Sequence, residues 1–369
     1  MKIALVHELL TMRGGAERVF KVLADMFPDA PIYTLLYDEK KLGDWFPKDR
    51  VRPSEVQKRA VRFNHHLYLA KFPGAVEAWD FSDFDLVISS SSAFVHGIIT
   101  NGNPKHLSYI NSPARYLWDR THDVLDKAGG GLLGPLKRAY LERKFHRLRI
   151  WDAEAADRAD KLLAASKTVQ RRIELYWRRE SEVVYPPIDD FWLTNRNLQS
   201  ATRSYYLVVS TLARYKRIEL AIAAANSLKI PLKIAGTGPD YKRLKNLAGP
   251  TVQFLGFVPE TDLRPLYQNA LATIFPGDED FGLVPLESLA CGTPVIAFRG
   301  GGALETLAEG ITGEFFDEPT PESLQAAIEK SKHKKYEAES CRTHAAKFSR
   351  AEYEAGIRKA ISETMRNDA

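Results

Sequence analysis

The sequence predicts an α/β protein built from two doubly wound, Rossmann-like domains. Three observations carry that prediction. Short apolar runs of strand length alternate with stretches of helical period along most of the chain, the order that a parallel sheet with crossover helices requires. The glycine pair Gly14-Gly15 stands where the first strand gives way to the first helix, the turn that opens a doubly wound domain. The alternation breaks at Tyr185-Pro186-Pro187 and a polar stretch up to Arg203, then restarts, as it must where a linker joins two domains. With 369 residues the chain is too long for one ordinary core and suits two domains of roughly 150–200 residues.

The first domain is assigned to 1–187. KIALVH reads as a buried strand, and Val19, Phe20, Leu23, Met26 and Phe27 give the stretch after the glycines one apolar face. Further strands are expected at 32–36, 86–89, 107–110, 161–165 and 183–185. Residues 186–203 form the expected linker. The second domain, 204–350, has expected strands at 205–210, 232–236, 252–256, 272–276 and 294–298. Its helices start at Ile218, near Tyr241, at Glu260 and at Gly282. The tail 351–369 is helical and is expected to cross back to the first domain.

Composition narrows the class. Hydrophobic residues are 44% and charged residues 27%, an ordinary globular balance and not that of a disordered or fibrous chain. No apolar run approaches the ~18–20 residues of a membrane span, and the short apolar start lacks a signal-peptide pattern, so a cytoplasmic protein is expected. Cys291 and Cys341 make neither a disulfide framework nor a metal cluster. A net charge of +5 is too weak for a dedicated nucleic-acid binder, and no nucleic-acid partner is expected.

That charge is uneven. Residues 137–149 carry Lys137, Arg138, Arg143, Lys144, Arg147 and Arg149 against Glu142. Residues 58–71 carry Lys58, Arg59, Arg62, His65, His66 and Lys71 among Val61, Phe63, Leu67, Tyr68 and Leu69. Two readings stand side by side: amphipathic core helices with solvated basic faces, or peripheral contact with an anionic membrane at its inner face.

Residues 275–295, FPGDEDFGLVPLESLACGTPV, hold the strongest chemical signal. A strand ends at Pro276, an acidic loop follows, and Phe281-Gly282 open a helix that contains Glu287. Glycine lets backbone approach a ligand, and a fresh helix N-terminus offers N–H groups to a phosphate. Glu279 and Glu287 are separated by seven residues, one in the loop and one inside the helix. Carboxylates so placed accept hydrogen bonds from sugar hydroxyls and a ribose diol. Two glutamates at this spacing mean little without the surrounding string.

The string Glu279-x-Phe281-Gly282-Leu283, Glu287, and Ala290-Cys291-Gly292-Thr293-Pro294-Val295 resembles the signature of family 4 retaining glycosyltransferases. These have the GT-B fold, two Rossmann-like domains facing each other across a cleft. Gly14-Gly15-Ala16-Glu17 resembles the family's first glycine turn, and Lys216 in LARYKRIELAI matches its pyrophosphate-binding lysine. GTGPDYKRL and GFVPETDLRPLY also fit, so the likeness covers essentially the whole chain and is most specific in the second half.

The resemblance implies that Lys216 neutralises the donor pyrophosphate, where leaving-group charge builds up. It assigns Glu287 to the ribose and Glu279 to the transferred sugar, with the backbone of Phe281, Gly282 and Leu283 beside the donor. Gly15 lets the chain approach the β-phosphate and acceptor. Gly301 and Glu305 lie in GGGALET, which reads equally as a structural turn. Two positions depart from the pattern. Ser210-Thr211-Leu212 stands where the family has Gly-Arg-Leu, so Thr211 occupies a donor-side position that lacks its cation, with Arg214 three residues farther on. Asn111, in YINSPARYLWD, replaces a sugar-contacting histidine; it can hydrogen-bond but not titrate. Arg115, Tyr116 and Trp118 either shape the acceptor site or pack the start of a helix.

The implied function is a hexosyltransferase acting on a nucleotide diphosphate sugar, GDP-mannose first and UDP-glucose second. The acceptor is a saccharide or lipid-linked saccharide, as in surface-polysaccharide assembly, with the anomeric configuration retained by front-face transfer. No cofactor and no metal are expected. Asp83-Phe84-Asp85 has a D-x-D spacing but precedes a strand, Asp278-Glu279-Asp280 leaves little room for an octahedral site, and His65-His66 are adjacent rather than i, i+4. Two alternatives share the pocket: a non-catalytic nucleotide-sugar-binding GT-B protein, and a sugar-nucleotide epimerase. A dinucleotide oxidoreductase would need G-x-G-x-x-G after the first strand, which Gly14-Gly15 does not supply.

Overall fold

The opening run IALVHELL is buried along nearly its whole length, which a strand achieves only inside a sheet covered on both faces. It is β1 (Ile3–Leu10) of a seven-stranded sheet. With it run β2 (Ile32–Tyr37), β3 (Val51–Pro53), β4 (Leu86–Ser91), β5 (Lys105–Ile110), β6 (Lys161–Ala164) and β7 (Glu182–Val183). All pairings are parallel and the order is β3-β2-β1-β4-β5-β6-β7. The edge strand β3 was not expected; three residues ending in proline carry no readable period, and proline is tolerated only at an edge.

The computed structural model describes residues 1–59, 65–102, 104–128, 130, 134–194 and 203–366. By contact they divide into two units, Met1–Tyr185 with Glu354–Ala369, and Pro186–Tyr353. The helix Arg350–Arg366 carries the chain from the second unit into the first. Within the first unit it buries Ile357 and Ala360, and Glu363 pairs with Lys161 at the start of β6.

The long helix Gly134–Ala155 buries Phe145, Leu148, Asp152 and Ala155 along one stripe. Asp152 is fully enclosed, where a carboxylate needs compensating donors. The indole N–H groups of Trp118 and Trp177 supply them at 2.8 and 2.7 Å. Burial pushes its carboxyl up to about 7, against the pull of those two bonds, and the Glu8 charge adds to the rise.

In the second unit β8 (Tyr205–Val209), β9 (Leu232–Ala235), β10 (Val252–Gly256), β11 (Ala270–Phe275), β12 (Val295–Phe298) and β13 (Gly313–Phe316) form a parallel sheet in the order β10-β9-β8-β11-β12-β13. The helix Ile218–Leu228, almost wholly apolar on one side, packs its Ile218, Ala221, Ile222 and Ala225 into the core on this sheet. Strand β13 was also unanticipated, because Gly313 and the buried Glu314 interrupt its apolar run.

Residues 186–203, expected to be a linker, are partly structure of the second unit. Asp190–Thr194 is a short helix, and Trp192 is buried edge-on to Tyr267, ring centres 5.6 Å apart. The Ile188 N–H donates to the Phe348 carbonyl at 2.8 Å. Burial of one tryptophan outweighs the missing periodicity. Residues 195–202 lie outside the described residues. Among those described, no helix is long and apolar enough to cross a membrane.

Candidate functional site

In each sheet the strand order reverses direction once, between β8 and β11 in the second unit and between β1 and β4 in the first. Loops leaving the carboxyl ends of such neighbours diverge, and open α/β sheets hold their ligands there. The sequence-predicted residues of the second unit fall at that point. After β8 the chain runs extended through Ser210 and Thr211, makes one turn at Arg214–Lys216, and enters the helix Ile218–Leu228. After β11 it passes Pro276 and the acidic loop into the helix Leu283–Ala290.

Lys216 and Glu279, far apart in sequence, are brought together here: Nζ lies 2.5 Å from Oε1, with both side chains mostly enclosed. Glu287 is buried on the helix Leu283–Ala290, and its Oε2 accepts a hydrogen bond from the Tyr267 hydroxyl at 2.9 Å. Tyr267 has no role in the sequence reading. Its signal was the apolar period of the GFVPETDLRPLY helix, which points Leu263 and Tyr267 inward.

Two glycines fix the loop's shape. Gly282 has φ +88° and caps the helix; a Cβ there would stand 2.8 Å from the Phe275 ring. Gly302 donates its N–H to the Glu279 carbonyl at 2.8 Å, and a Cβ on it would fall 2.2 Å from the Phe281 Cα. The GGG turn is therefore a wall supporting the Glu279 loop. The Phe281 side chain turns inward onto Phe348, ring centres 5.7 Å apart. Leu283 is the first residue of the helix Leu283–Ala290.

Thr211 is exposed, and its carbonyl accepts from Ser210 Oγ at 3.1 Å. Arg214 is exposed in the same turn as Lys216. Cys291 is no nucleophile: burial pushes its thiol up to about 12, Arg264 and Glu287 acting in opposite directions on it.

In the first unit Gly15 begins the helix Gly15–Met26, and Glu17 turns back to accept from the Gly14 N–H at 3.0 Å. A second feature went unread. Glu8, near the end of β1, is buried and accepts five hydrogen bonds: from Ser91 Oγ and the backbone N–H groups of Ser92, Ala93, Phe94 and Val95, at 2.6–3.2 Å. It thereby fixes the loop after β4 at the first unit's switch point. Asn111, just past β5, donates from Nδ2 to Ser90 Oγ at 2.9 Å, beside that loop.

The acceptor-side candidates Arg115, Tyr116 and Trp118 all have partners within the first unit. Trp118 gives its N–H to Asp152 and stacks on Tyr176, ring centres 4.8 Å apart and 6° from parallel. Tyr116 packs on Phe145 with its hydroxyl buried, and burial, with the Asp152 and Glu8 charges, holds its phenol well above the usual range. Both side chains thus take part in packing the first unit. Arg115 lies 3.4 Å from Asp119, which also pairs with Arg172 at 2.9 Å. Asp85 accepts from the Lys2 N–H at 2.6 Å, the ordinary role of an acid starting a strand. Among the described residues no group of three or more His, Cys, Asp or Glu side chains is arranged to hold a metal ion.

The family described as Glycosyl transferases group 1 matches residues 192–348, nearly all of the second unit. The chain is 24% identical to an uncharacterized glycosyltransferase of Methanocaldococcus jannaschii over 57% of its own length and 61% of the relative's. It is 31% identical to the alpha-1,3/1,6-mannosyltransferase ALG2 of Mus musculus over 38% of this chain and 34% of that one. These matches thus span about one third to three fifths of the relatives' lengths. In three dimensions the chain resembles HepE of Anabaena, solved in complex with UDP-glucose, with a TM-score of 0.70, 16% identity and coverage of 98% of this chain and 100% of that one. WaaG, a glycosyltransferase involved in lipopolysaccharide biosynthesis, follows at a TM-score of 0.64 and 16% identity, covering 93% and 95%. The whole chain therefore has the GT-B fold of two Rossmann-like domains, and residues 192–348, which place Lys216, Glu279 and Glu287 around one switch point, match the glycosyl transferases group 1 family.

Proposed function

We propose that the protein transfers a hexose from a nucleotide diphosphate sugar to a saccharide or lipid-linked saccharide, with retention of anomeric configuration and without a metal ion. The observation that carries this reading is the Lys216–Glu279 pair at the second unit's switch point. Bond breaking between the anomeric carbon and the phosphate oxygen leaves charge on the pyrophosphate. The Lys216 ammonium and the N–H groups opening the helix Leu283–Ala290 offset it. A pyrophosphate competes with Glu279 for that ammonium, which releases the carboxylate to a hydroxyl of the sugar. The acceptor oxygen bonds to the anomeric carbon on the face the phosphate leaves, and its proton passes to the departing phosphate oxygen, so no protein base is required. Glu287 takes the ribose diol, its carboxylate oriented by Tyr267.

GDP-mannose is the first donor candidate, in line with the mannosyltransferase relative, and UDP-glucose the second, the ligand seen in HepE. A thermal-shift panel of nucleotide sugars tests the choice. A true donor at ~100 times its dissociation constant should add about 2.7 kcal/mol of stability, and sugar should then reach an acceptor at undiminished rate in EDTA. No stabilisation by any nucleotide sugar overturns the reading; a tenfold loss in EDTA, restored by Mg²⁺ or Mn²⁺, overturns its metal-free form.

The same proposal places the acceptor at an anionic membrane. On the helix Gly134–Ala155, Leu136 (72% exposed) and Tyr140 (65%) share a stripe with Arg143 and Arg147, turned away from the buried Phe145, Leu148 and Asp152. Other members of the expected basic surface are committed elsewhere. Arg138 pairs with Glu142 and Asp126, Arg149 donates to the Leu117 carbonyl, and Tyr68 and Leu69 pack against the first unit's core. Residues 60–64 of the other segment, Arg62 among them, lie outside the described residues, as do the side chains of Lys58, Arg59, His65, His66 and Leu67. Changing Lys137, Arg143, Lys144 and Arg147 to serine should weaken sedimentation with anionic vesicles by roughly two to three orders of magnitude at about 1 kcal/mol per charge. Turnover of a water-soluble acceptor should persist. Equal vesicle binding by the variant would return this stripe to ordinary solvated surface.

A further inference from the structure

At the opposite edge of the second unit's sheet, where the strands begin, lies a cavity of about 450 Å³. Its floor is apolar: Tyr206, Ala272 and Val295 from the starts of β8, β11 and β12, with Ile230 and Leu271 beside them. One wall is the segment that follows the helix Pro321–Lys332, and a buried carboxylate holds it in place. Glu314 of β13, with no exposed surface, accepts from Lys334 Nζ at 2.6 Å and the Tyr336 hydroxyl at 2.8 Å, and pairs with Lys330 at 2.5 Å.

The lining is cationic. Arg203, Lys332, Lys334 and Lys335 border the cavity, and no acidic residue does among the described residues. Glu314 takes up the charge of Lys334. Lys332 and Lys335 pair with Glu329 and Glu337 at 2.6 and 2.9 Å, but these are surface pairs in water. Such pairs contribute little and exchange readily for a better anion. Arg203 is different: its guanidinium is half-buried and donates to the Gly292 carbonyl at 2.7 Å. Burial holds its pKa below the usual arginine value, so its charge lacks full solvation and an anion beside it would be favoured. An apolar floor bordered by cations, at a volume within the ~300–1,000 Å³ of small-molecule sites, suits a small ligand with an anionic group.

We propose that this cavity is a second ligand site, separate from the Lys216–Glu279 site, for a small phosphate ester with an apolar organic part. The phosphate lies against Arg203, Lys332 and Lys335, and the organic part against Tyr206 and Leu271. Among the described residues no aspartate or glutamate lines it, which selects against cationic ligands. The apolar floor selects for esters over bare phosphate.

Calorimetric titration of the full chain with phenyl phosphate tests this, with inorganic phosphate and phenol as the two halves of the probe. The titrations use the Lys216→Ala background to weaken anion binding at the first site, and the cavity variants below assign the remaining signal to this cavity. Phenyl phosphate should bind at least tenfold more tightly than inorganic phosphate, and phenol should bind more weakly than either. Lys332→Gln with Lys335→Gln should weaken phenyl phosphate at least tenfold without moving the melting temperature. Leu271→Glu, at a position already partly exposed, should abolish binding. Equal affinity for phenyl phosphate and inorganic phosphate would mean simple adsorption to surface lysines and overturns the proposal. So does unchanged binding in the lysine variant, or no binding of phenyl phosphate at millimolar concentration.

Discussion

Replacing Lys216 by alanine is expected to lower the transfer rate by about two to three orders of magnitude, the loss typical when one preorganised donor to a developing charge is removed. The ammonium sits 2.5 Å from Glu279, between two loops that diverge from neighbouring strands. Thr211 supplies no charge where a second cation would stand, and Arg214 is exposed to water, which concentrates the burden on one lysine. The loss should fall mainly on kcat, because leaving-group charge is larger in the transition state than in the bound donor. Lys216→Arg keeps the charge on a planar, branched head and should recover part of the rate. Steady-state kinetics with a radiolabelled donor measure both. A Lys216→Ala rate within threefold of wild type would remove the lysine from the chemistry and, with it, the assignment of the switch point.

Glu8→Ala is expected to destabilise the first unit by at least about 4 kcal/mol. Four backbone N–H groups and one hydroxyl converge on its carboxylate, and each buried group left unsatisfied costs roughly 1–3 kcal/mol. Glu8→Gln separates charge from geometry. Oε1 serves Ser91, Ala93, Phe94 and Val95, whereas Oε2 serves only the Ser92 N–H at 2.6 Å. Glutamine can keep the first set, but its amide N–H₂ then faces another donor at Ser92. It should therefore cost less than alanine and more than a surface change. Calorimetry should show the first unit's transition falling by roughly 10–15 °C for alanine, at ~2–4 °C per kcal/mol for a unit of this size. A shift under 3 °C would mean that water replaces the carboxylate in this loop.

The strands most visible in the sequence were those buried on both faces, because a run such as LVISSS or ATIF has one reading once its neighbours are known. Strands β3 and β13 escaped: β3 is three residues ending in proline, and β13 opens on Gly313 and the buried charge of Glu314, so neither reads as an apolar run. Trp192 was assigned to a linker because its burial depends on Tyr267, distant in sequence. The site divides in the same way. Lys216, Glu279 and Glu287 lie in strings that mark their positions, and the topology brings the first two together. Glu8 and Tyr267 are single polar residues inside an ordinary strand and an ordinary helix, and only their distant partners give them a role. Trp118 left two readings open for that reason, since its N–H partner, Asp152, stands 34 residues on.

The path of the chain has a further consequence. It leaves the first unit after Tyr185, completes the second, and returns only at Glu354, so the second unit is topologically an insertion. On the ribosome the first unit stays one helix short until the residues after 354 have emerged. Ile357 and Ala360 arrive last to cover the surface prepared for them, and Lys161 waits as long for Glu363. The second unit, contiguous in sequence, has every one of its strands available earlier and can fold to completion first. The first unit therefore draws on residues made after the whole second unit, and it becomes whole only when the helix Arg350–Arg366 closes it.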